Sequence, residues 1–443
     1  MGGSSSLPEV STKLRRIAKL ARENPRMVLT TLAHHIDYQF LYQAFLWTRR
    51  DGAAGVDGEG REEYVKGLRE RLESLLARLK SGTYRAPSVK RVHIPKAEGK
   101  TRPIGIPTYE DKLLQRAVAM ILEAVYEQDF LDCSYGFRPG RSAHRALDAL
   151  RQKLMEMGGA VVIEVDIRSF FDSLDHGHLR AMLDQRVRDG VLRRVIDKWL
   201  AAGVLEEGEL SYPESGTPQG GVISPLLANI YLHEVVDRWF TRDVRPRLEG
   251  DAHLIRYADD LVMVFASPRD AERVMEVLPK RFGKYGLSLH PEKTRLLEFR
   301  RPPRGQRASS RNGCFEFLGF THFWGRSRKG NWVVMRKTAR KRFSRAVKAI
   351  GQWCRQNRHR PIREQGQQLG RKLRGHDAYY GITGNVRALQ GLRYFVIRTW
   401  WRWLRRRGQK RPLSWERLKQ FLALHPLPPA RVVHSALHRA ARP

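Results

Sequence analysis

Residues 256–265 read RYADDLVMVF, and two adjacent aspartates, Asp259 and Asp260, stand at the break between two apolar runs. Another apolar run, residues 161–165 (VVIEV), ends on Asp166. A carboxylate at the end of a buried strand is held rigidly yet reaches solvent, and Mg²⁺ prefers such oxygen ligands. An Ala-Asp-Asp segment alone is more often a solvated turn. Together the three carboxylates predict a phosphoryl-transfer site in which Asp166 and Asp259 bind two Mg²⁺ ions and Asp260 supports them.

The charge of the chain is strongly positive and unevenly distributed. The 443 residues include 82 Lys and Arg against 46 Asp and Glu, a formal net charge of +36. Residues 321–443 alone hold 31 of these basic residues and only three acidic ones. RNA or DNA is the expected partner, and an anionic membrane surface is the alternative. The C-terminal quarter is therefore predicted to bind nucleic acid, and the first 320 residues to form a catalytic body.

Length, cysteines and apolar runs narrow the class of protein further. A chain of 443 residues suffices for two or three domains. Three cysteines, Cys133, Cys314 and Cys354, are too widely spaced for a zinc motif and too few for a disulfide framework. No apolar leader and no run of 18 apolar residues is present in the sequence. We expect a cytoplasmic bacterial protein without a membrane partner, and its charge is compatible with a place in the nucleoid.

Two further segments carry residues suited to bind a nucleotide. Residues 90–96 alternate like a strand and residues 102–107 resume after a turn, which predicts a hairpin that bears Lys96 and Arg102. Both cations could bind a triphosphate, or they could be ordinary solvated charges. In the Gly-rich loop 216–221, Gln219 could contact a sugar or the template. The alternative for that loop is a plain tight turn before a helix.

Phe171 stands five residues after Asp166. A ring beneath the incoming sugar would clash with a 2′-hydroxyl and would therefore select deoxynucleotides. The alternative is ordinary core packing, and Phe170 and Phe171 can divide the two roles between them.

Near the C-terminus aromatic residues are interleaved with cations. Such a surface can stack bases and bind phosphates. The tryptophans are more often core residues, whereas the arginines are expected to bind a polyanion. The residues concerned are Trp400, Trp401 and Trp403 with Arg402, Arg405, Arg406 and Arg407.

Eight segments, taken in order, resemble the group II intron reverse transcriptase/maturase family. The resemblance covers residues 32–320 and continues more weakly through the basic helical region. The segments are 94–96 (IPK), 102–107 (RPIGIP), 134–142 (SYGFRPGRS), 166–172 (DIRSFFD), 216–225 (GTPQGGVISP), 257–260 (YADD), 286–294 (GLSLHPEKT) and 317–320 (FLGF).

This resemblance implies an α+β fold of the right-hand polymerase type. Its fingers and antiparallel palm would occupy residues 51–325, and an α-helical thumb or maturase (X) domain residues 326–411. Residues 1–50 would form a basic N-terminal extension, and residues 412–443 a short segment that could bind nucleic acid. No Cys pair or His/Asn cluster follows the thumb, so the DNA endonuclease domain of many relatives is expected to be missing. Priming at replication forks or other exposed DNA is expected instead.

The resemblance also assigns roles to individual residues. It implies that Asp166, Asp259 and Asp260 are catalytic metal ligands, together with the backbone carbonyl of Ile167. Nucleotide contacts fall on Lys96, Arg102 and Gln219, and the steric gate on Phe171. Nucleic-acid contacts are expected at Arg138, Arg141, Arg402, Arg405, Arg406 and Arg407.

The function expected from all this is RNA-directed DNA synthesis by two-metal phosphoryl transfer. The partners would be dNTPs, an RNA template, a DNA primer or target, and a structured intron RNA whose splicing and mobility the protein promotes. One alternative is a host-adopted relative that acts in DNA repair or phage defence. Another is an RNA-binding maturase or chaperone without polymerase activity. The sequence leaves the identity of the RNA and the oligomeric state open.

Overall fold

The computed structural model describes residues 6–95, 101–206, 208–212, 215–217, 220–303, 313–407 and 413–434. The chain divides into two compact units. Unit 1 comprises residues 1–146 and 163–296, and unit 2 comprises residues 147–162 and 297–443. Each unit is therefore built from two separate stretches of sequence.

The elements from α1 to β8 lie in unit 1 or across the points where the two units divide. Helices and strands are mixed, as the α+β class predicts. The elements are α1 (Ser6–Glu23), α2 (Tyr38–Trp47), α3 (Arg61–Val65), α4 (Leu68–Ser81), β1 (Val89–Pro95), β2 (Thr101–Ile106), α5 (Tyr109–Tyr126), α6 (Ala143–Met157), β3 (Gly159–Val165), α7 (His176–Asp184), α8 (Gly190–Leu200), β4 (Val204–Glu206), β5 (Glu209–Ser211), α9 (Ser224–Leu232), β6 (Ala252–Tyr257), β7 (Asp260–Phe265), α10 (Pro268–Gly283) and β8 (Arg295–Arg300).

Helix α5 lies in the core of unit 1. Its buried residues cover most of the helix circumference, and the face that carries Lys112, Arg116 and Glu123 is partly exposed. Helices α1 and α2 pack against it. On α1 the buried positions Val10, Ile17 and Ala21 follow helical spacing, which directs one apolar stripe inward.

The buried side chain of Arg186 attaches the end of α1 to the rest of unit 1. Its guanidinium pairs with Asp129 at 2.7 Å and donates to the carbonyl oxygens of Ala21 (2.9 Å), Asn24 (3.0 Å) and Met27 (2.6 Å). These bonds satisfy carbonyls that a helix end leaves without partners. The described residues 6–50 thus belong to compact unit 1, and the division at residue 50 into an extension and a body stays a prediction.

Two four-stranded sheets position the residues of interest. One has the strand order β2-β1-β4-β5. Strands β1 and β2 pair antiparallel from Lys90↔Ile106 to Pro95↔Thr101, which confirms the predicted hairpin. The other sheet has the order β6-β7-β3-β8, and β6 and β7 form an antiparallel hairpin. Strand β3 therefore runs beside β7.

Unit 2 combines a small antiparallel sheet with a helical core. Its further elements are β9 (Phe315–Phe317), β10 (Phe320–Arg326), β11 (Trp332–Thr338), α11 (Arg340–Gln356), α12 (Ile362–Tyr380), α13 (Val386–Leu404) and α14 (Trp415–Leu424). The sheet order is β11-β10-β9. Trp400 is fully buried in the core, and its indole N–H donates to Gln365 at 2.9 Å. Among helices of the described ranges, none is long and apolar enough to cross a membrane.

The domain boundary predicted at residues 325/326 lies inside a hairpin. Strands β10 and β11 pair from Phe320↔Thr338 to Arg326↔Trp332, and the turn between them contains Gly330 with a φ of +78°. The units divide between Leu296 and Leu297 instead. The Gly, Ser and Lys of a tight turn have the same composition as a linker, and a functional boundary at residues 325/326 stays a prediction.

Candidate active site

Asp259 lies in a two-residue turn between β6 and β7. Tyr257 pairs with Asp260 across the hairpin, so Ala258 and Asp259 reverse the chain. Ala258 has a φ of +55°, which suits the first position of a two-residue hairpin turn. Residues with a side chain adopt this left-handed conformation at a cost in free energy. The turn leaves Asp259 half-buried and Asp260 exposed.

The fully buried side chain of Arg256 holds this turn in place. Its guanidinium donates to the Ala258 carbonyl at 3.1 Å, to Asn229 at 2.9 Å and to Ser134 at 2.8 Å. Two further bonds reach the carboxylate of Asp237, at 2.7 and 2.5 Å. Burial alone would raise the pKa of Asp237, but the charge and hydrogen bonds of Arg256 lower it below its ordinary value. The turn thus rests on a hydrogen-bonded ion pair inside the fold.

Gly136 packs directly against the same turn. A Cβ atom at Gly136 would lie 2.3 Å from the nitrogen of Ala258, so only glycine fits. The Gly136 carbonyl accepts a hydrogen bond from Asn229 at 2.7 Å, and the N–H of Tyr135 donates to the carbonyl of Arg256 at 2.8 Å. The loop 134–142 therefore supports the turn that carries Asp259.

Arg138, in that loop, has a structural role. Only 7% of it is exposed. Its guanidinium pairs with Glu127 at 3.0 Å and donates to the carbonyl oxygens of Leu131 (2.7 Å) and Ser134 (2.8 Å). These bonds use the guanidinium to close the loop on itself, and a nucleic-acid contact at Arg138 stays a prediction.

Arg141 lies nearer the surface of the loop. It pairs with Asp132 at 2.5 Å, and its guanidinium carbon is 5.3 Å from the ring centroid of Tyr135. Because Asp132 is almost wholly exposed, this pair is weak and can exchange for a phosphate. A nucleic-acid contact at Arg141 stays a prediction.

Asp166 directly follows β3 and is fixed by the segment 288–294. Its N–H donates to Thr294 Oγ1 at 3.3 Å, and its carbonyl accepts the N–H of His290 at 2.8 Å. Ile167 forms an isolated antiparallel bridge with the same segment. The ammonium of Lys293 lies 3.0 Å from Asp166 Oδ2. Lys293 is a site residue that the sequence analysis did not single out, although it stands in the quoted segment 286–294.

Asp166, Asp259 and Arg102 are close enough for their charges to interact. Burial is the main cause that raises the pKa of Asp259. The positive charge of Arg102 lowers that pKa, and the negative charge of Asp166 raises it. The structure therefore brings together three predicted site residues that are up to 157 positions apart in the sequence.

These residues fit a divalent cation that the substrate helps to bind. A half-buried carboxylate beside a second one favours a cation between them. Within the described part of the chain, no three His, Cys, Asp or Glu side chains gather into a complete metal cage. Mg²⁺ usually takes one or two carboxylates and completes its shell with water and phosphates. Asp166 and Asp259 match that pattern.

Phe171 lies in a single 3₁₀ turn, Phe170–Asp172. Phe170 is buried and Phe171 half-buried, and their ring centroids are 5.3 Å apart. The carbonyl of Phe171 accepts the N–H of Thr217 at 2.8 Å, which joins this turn to the loop before α9. The two phenylalanines thus differ in burial, and the steric gate at Phe171 stays a prediction.

Two glycines allow the loop before α9 to approach its neighbours closely. A Cβ atom at Gly216 would lie 2.9 Å from the backbone of Phe171, and one at Gly220 would lie 2.6 Å from the carbonyl oxygen of Gly105. The loop therefore reaches from the Phe171 turn to β2, the strand that carries Arg102. Lys96 and Gln219 lie outside the described residues.

In unit 2, arginines and a tryptophan surround a cavity of about 370 Å³. The guanidinium carbon of Arg405 is 4.9 Å from the ring centroid of Trp401, and that of Arg398 is 5.4 Å away. Arg407 instead donates to two backbone carbonyls at 3.0 Å, those of His359 and Arg360. The lining residues, which we call the arginine–tryptophan surface, are Arg398, Trp401, Arg402, Arg405 and Arg406.

Comparison with known protein families shows the family to which the chain belongs. Residues 94–322, more than half of the chain, match the family described as reverse transcriptase (RNA-dependent DNA polymerase). The chain belongs to the reverse transcriptase family. The matched range contains Arg102, Asp166, Asp259 and Asp260. The residues of the candidate site in this reverse transcriptase therefore lie within the region that matches the family.

Curated relatives refine this assignment. Protein YkfC of Escherichia coli (strain K12) is 32% identical over 363 residues, which cover 74% of this reverse transcriptase and 91% of YkfC. Group II intron-encoded protein LtrA of Lactococcus lactis subsp. cremoris is 40% identical over 228 residues, which cover 50% of this chain and 37% of LtrA. An uncharacterized 91 kDa protein in the cob intron of Schizosaccharomyces pombe is 34% identical over 237 residues, which cover 53% of this chain and 29% of that protein.

These relatives place the reverse transcriptase in the group II intron reverse transcriptase/maturase family, as the sequence segments predict. The chain spans little more than a third of the length of LtrA.

Proposed function

We propose that the protein is an RNA-directed DNA polymerase that extends a DNA primer on an RNA template. The observation that supports this most is the proximity of Asp166 and Asp259, with Arg102 near enough to lower the pKa of Asp259. Two Mg²⁺ ions held there, with Asp260 and the carbonyl of Ile167 as further ligands, would neutralise charge on the transferred phosphate.

The chain's own residues have separate tasks in this proposal. Arg102, together with Lys96, binds the triphosphate of the incoming dNTP, since a guanidinium donates to phosphate oxygens in pairs. Lys293 holds the carboxylate of Asp166 in position through its 3.0 Å contact. Phe171 lies under the sugar and excludes a 2′-hydroxyl, and Gln219 contacts the sugar or template. We assign the fingers and palm to unit 1 and the thumb to the helices of unit 2.

A primer-extension assay with an RNA template tests the catalytic assignment. Asp259→Asn removes a negative charge from the metal site, so we expect synthesis to fall by about 10²–10³-fold or more. RNA affinity should stay nearly unchanged, because Asp259 neutralises no phosphate itself. Asp251→Asn is the matched control, since Asp251 is exposed beside the other end of the same hairpin. Undiminished synthesis by Asp259→Asn would refute the assignment and leave an RNA-binding maturase.

We infer that the protein also binds a structured intron RNA and promotes its splicing and mobility. The inference is supported by the excess of 31 basic over three acidic residues in 321–443 and by the similarity to a group II intron-encoded protein. Phosphate neutralisation makes such binding steeply salt-dependent.

Sequencing the RNA that copurifies with the protein from its native cells tests this second role. One dominant structured RNA that carries this reading frame is the expected result. A diffuse mixture of cellular RNAs would contradict it and favour the host-adopted polymerase in repair or phage defence.

A further inference from the structure

Unit 2 contains a groove that neither the catalytic site nor the arginine–tryptophan surface uses. It has a volume of about 650 Å³ and lies between one face of α12 and the chain at and after the end of α14. Cations line one wall, and apolar and aromatic side chains line the other. The residues that matter are Arg363, Arg371 and Arg374 on α12, and Phe421, Leu424 and His425 opposite.

The helix wall is positive over most of its length. Arg363, Gln367, Arg371 and Arg374 follow one another at intervals of four, four and three residues, which places them on one face of α12. At 1.5 Å per residue, they extend over about 17 Å. All four are exposed, and none of the described lining residues is acidic. This wall therefore favours a ligand with several negative charges in a row.

Two glycines of α12 leave space between the arginines. A Cβ atom at Gly366 would lie 3.3 Å from the ring of Trp400, and one at Gly370 would lie 3.4 Å from Pro428. The two glycines therefore let α12 pack closely against Trp400 and Pro428, and they place no side chain between the arginines in the groove.

The opposite wall exposes apolar surface to solvent. Leu424 is 78% exposed, the largest value among the large apolar side chains of the described residues. The rings of Phe421 and His425 lie beside it with centroids 5.0 Å apart. The groove thus has a cationic wall and an apolar wall that face each other. Such a groove suits a ligand with negative charges along one side and aromatic rings along the other.

We propose that this groove binds a single strand of nucleic acid. The phosphates contact Arg363, Arg371 and Arg374, and the bases pack against Leu424, Phe421 and His425. A duplex fits less well, because its bases are stacked inside and offer no free face to an apolar wall. The choice of nucleic acid as the ligand rests on the proposed function, but binding in this groove does not require an active polymerase site.

Fluorescence anisotropy with the full chain tests the cationic wall. The probes are a labelled 12-nucleotide RNA of mixed sequence and the same sequence as DNA, each titrated at several KCl concentrations. For Arg363→Ala, Arg371→Ala and Arg374→Ala combined, we expect at least a tenfold loss of affinity. The slope of log K against log salt should shrink by about 2, since each single-strand phosphate contact contributes about 0.7. Alanine preserves helix propensity, so α12 should remain folded.

The matched control removes three exposed cations from another helix of the same unit. Lys341→Ala, Arg345→Ala and Lys348→Ala lie on α11 at similar helical spacing, away from the groove. If both triple variants lose equal affinity, nucleic acid is attracted by the overall positive charge of the unit, and the groove proposal is overturned. A loss with RNA but not DNA, or the reverse, identifies which strand the groove takes.

The apolar wall is tested by a single substitution with its own control. Leu424→Glu places a negative charge opposite the arginines and should weaken binding about tenfold. The control, Tyr394→Glu, puts the same charge on an exposed position of α13 and should change the affinity less than threefold. Unchanged binding by Leu424→Glu would overturn the proposal. Since the assay has no synthesis step, failure of the polymerase function leaves its result valid.

Discussion

Arg256 is completely buried, yet it lies only three residues before Asp259. Every contact of its guanidinium is with the protein interior, and one of them is the carbonyl of the turn residue Ala258. A guanidinium can donate in several fixed directions at once, which an ammonium cannot. We therefore regard Arg256 as a positioning residue that acts on the reaction through the turn.

Arg256→Lys should keep the buried charge but lose most of these bonds. We expect the protein to be destabilised by about 1–3 kcal/mol, since the buried acceptors on Asn229, Ala258 and Ser134 lose their donors. Among folded molecules, kcat for primer extension should fall at least tenfold while KM for dNTP changes less than threefold. Arg186→Lys is the control, because Arg186 makes a comparable set of interior bonds to α1. If both variants lower kcat equally at matched stability, the effect is general destabilisation.

Phe171→Ala should lower discrimination against ribonucleotides. Without the ring the 2′-hydroxyl meets no obstacle, so the ratio of kcat/KM for dNTP over rNTP should fall by about 10–100-fold. Primer extension with each nucleotide alone measures it. Phe170→Ala serves as the comparison, since the buried Phe170 should affect stability and leave the ratio intact. An unaltered ratio in Phe171→Ala would make the ring a packing residue.

Local sequence suffices for some site residues and fails for others. The positions of Asp166 and Asp259 at strand ends could be predicted, because each borders an apolar run that forms a buried strand. The burial of Arg138 could not, because its partner Glu127 lies on a different element and only the folded chain brings the pair together. Lys293 was missed for the same reason, since its contact with Asp166 joins positions 127 residues apart.

At the scale of elements, α5 carries a buried carboxylate into the core of unit 1. Asp111 lies in the first turn of the helix and accepts hydrogen bonds from the hydroxyl of Tyr84 and the indole N–H of Trp199. Burial raises the pKa of Asp111 to about 7. The folded protein therefore binds a proton at Asp111 that the unfolded chain, with a pKa near 3.8, releases earlier.

This difference makes stability fall as the pH rises. The contribution of protonated Asp111 is complete below about pH 4 and is lost on approach to pH 7, by at most about 4 kcal/mol for a shift of three units. Asp111→Asn stays neutral and can accept the same bonds, so its Tm should change less between pH 5 and pH 8. Thermal melts at both pH values measure this, with Glu62→Gln at an exposed site as control. Equal pH dependence in both variants would contradict the assignment.

Two hairpins show under which conditions the alternation of apolar and polar residues predicts a strand. For β1 and β2 the pattern of residues 90–107 is plain enough to predict the pairing. In β10 and β11 the inward positions include His322 and Arg336, both buried. His322 stacks on Phe315 with centroids 4.8 Å apart, and Arg336 pairs with Asp148 at 2.9 Å. Polar residues at inward positions hide the period of two, so the segment resembles a linker.

At the scale of the whole molecule, the order of the chain differs from the order of the units. Residues 147–162 precede the hairpin of β6 and β7 in sequence but belong to unit 2. Within that unit, Arg151 donates to the carbonyl of Val334 at 3.0 Å, and the N–H of Val334 donates to the sulfur of Met155 at 3.1 Å. The C-terminal stretch is therefore not a separable domain, although its charge suggests one.

A chain ended at residue 296 should consequently fail to fold normally. Residues 147–162 would lack their partners in 297–443, so we expect no cooperative thermal transition and no primer extension. Coexpression of residues 297–443 should restore a complex with both properties, and a chain ended at residue 434 is the control. A cooperative melt by residues 1–296 alone, near that of the full chain, would contradict this reasoning.

The same interleaving matters while the protein is being made. When the ribosome has added residue 162, about 280 residues are still to come: the rest of unit 1 and then the rest of unit 2. At about 5–20 residues per second their synthesis takes roughly 15–60 s. Throughout that time Leu147, Leu150 and Leu154 of α6, buried in the finished fold, have no complete core to enter. Translation must therefore pass residue 297 before these leucines can begin to complete their packing. A product terminated between residues 261 and 296 would contain Asp166, Asp259 and Asp260 but leave α6 without its partners, which makes it a substrate for chaperones or proteases.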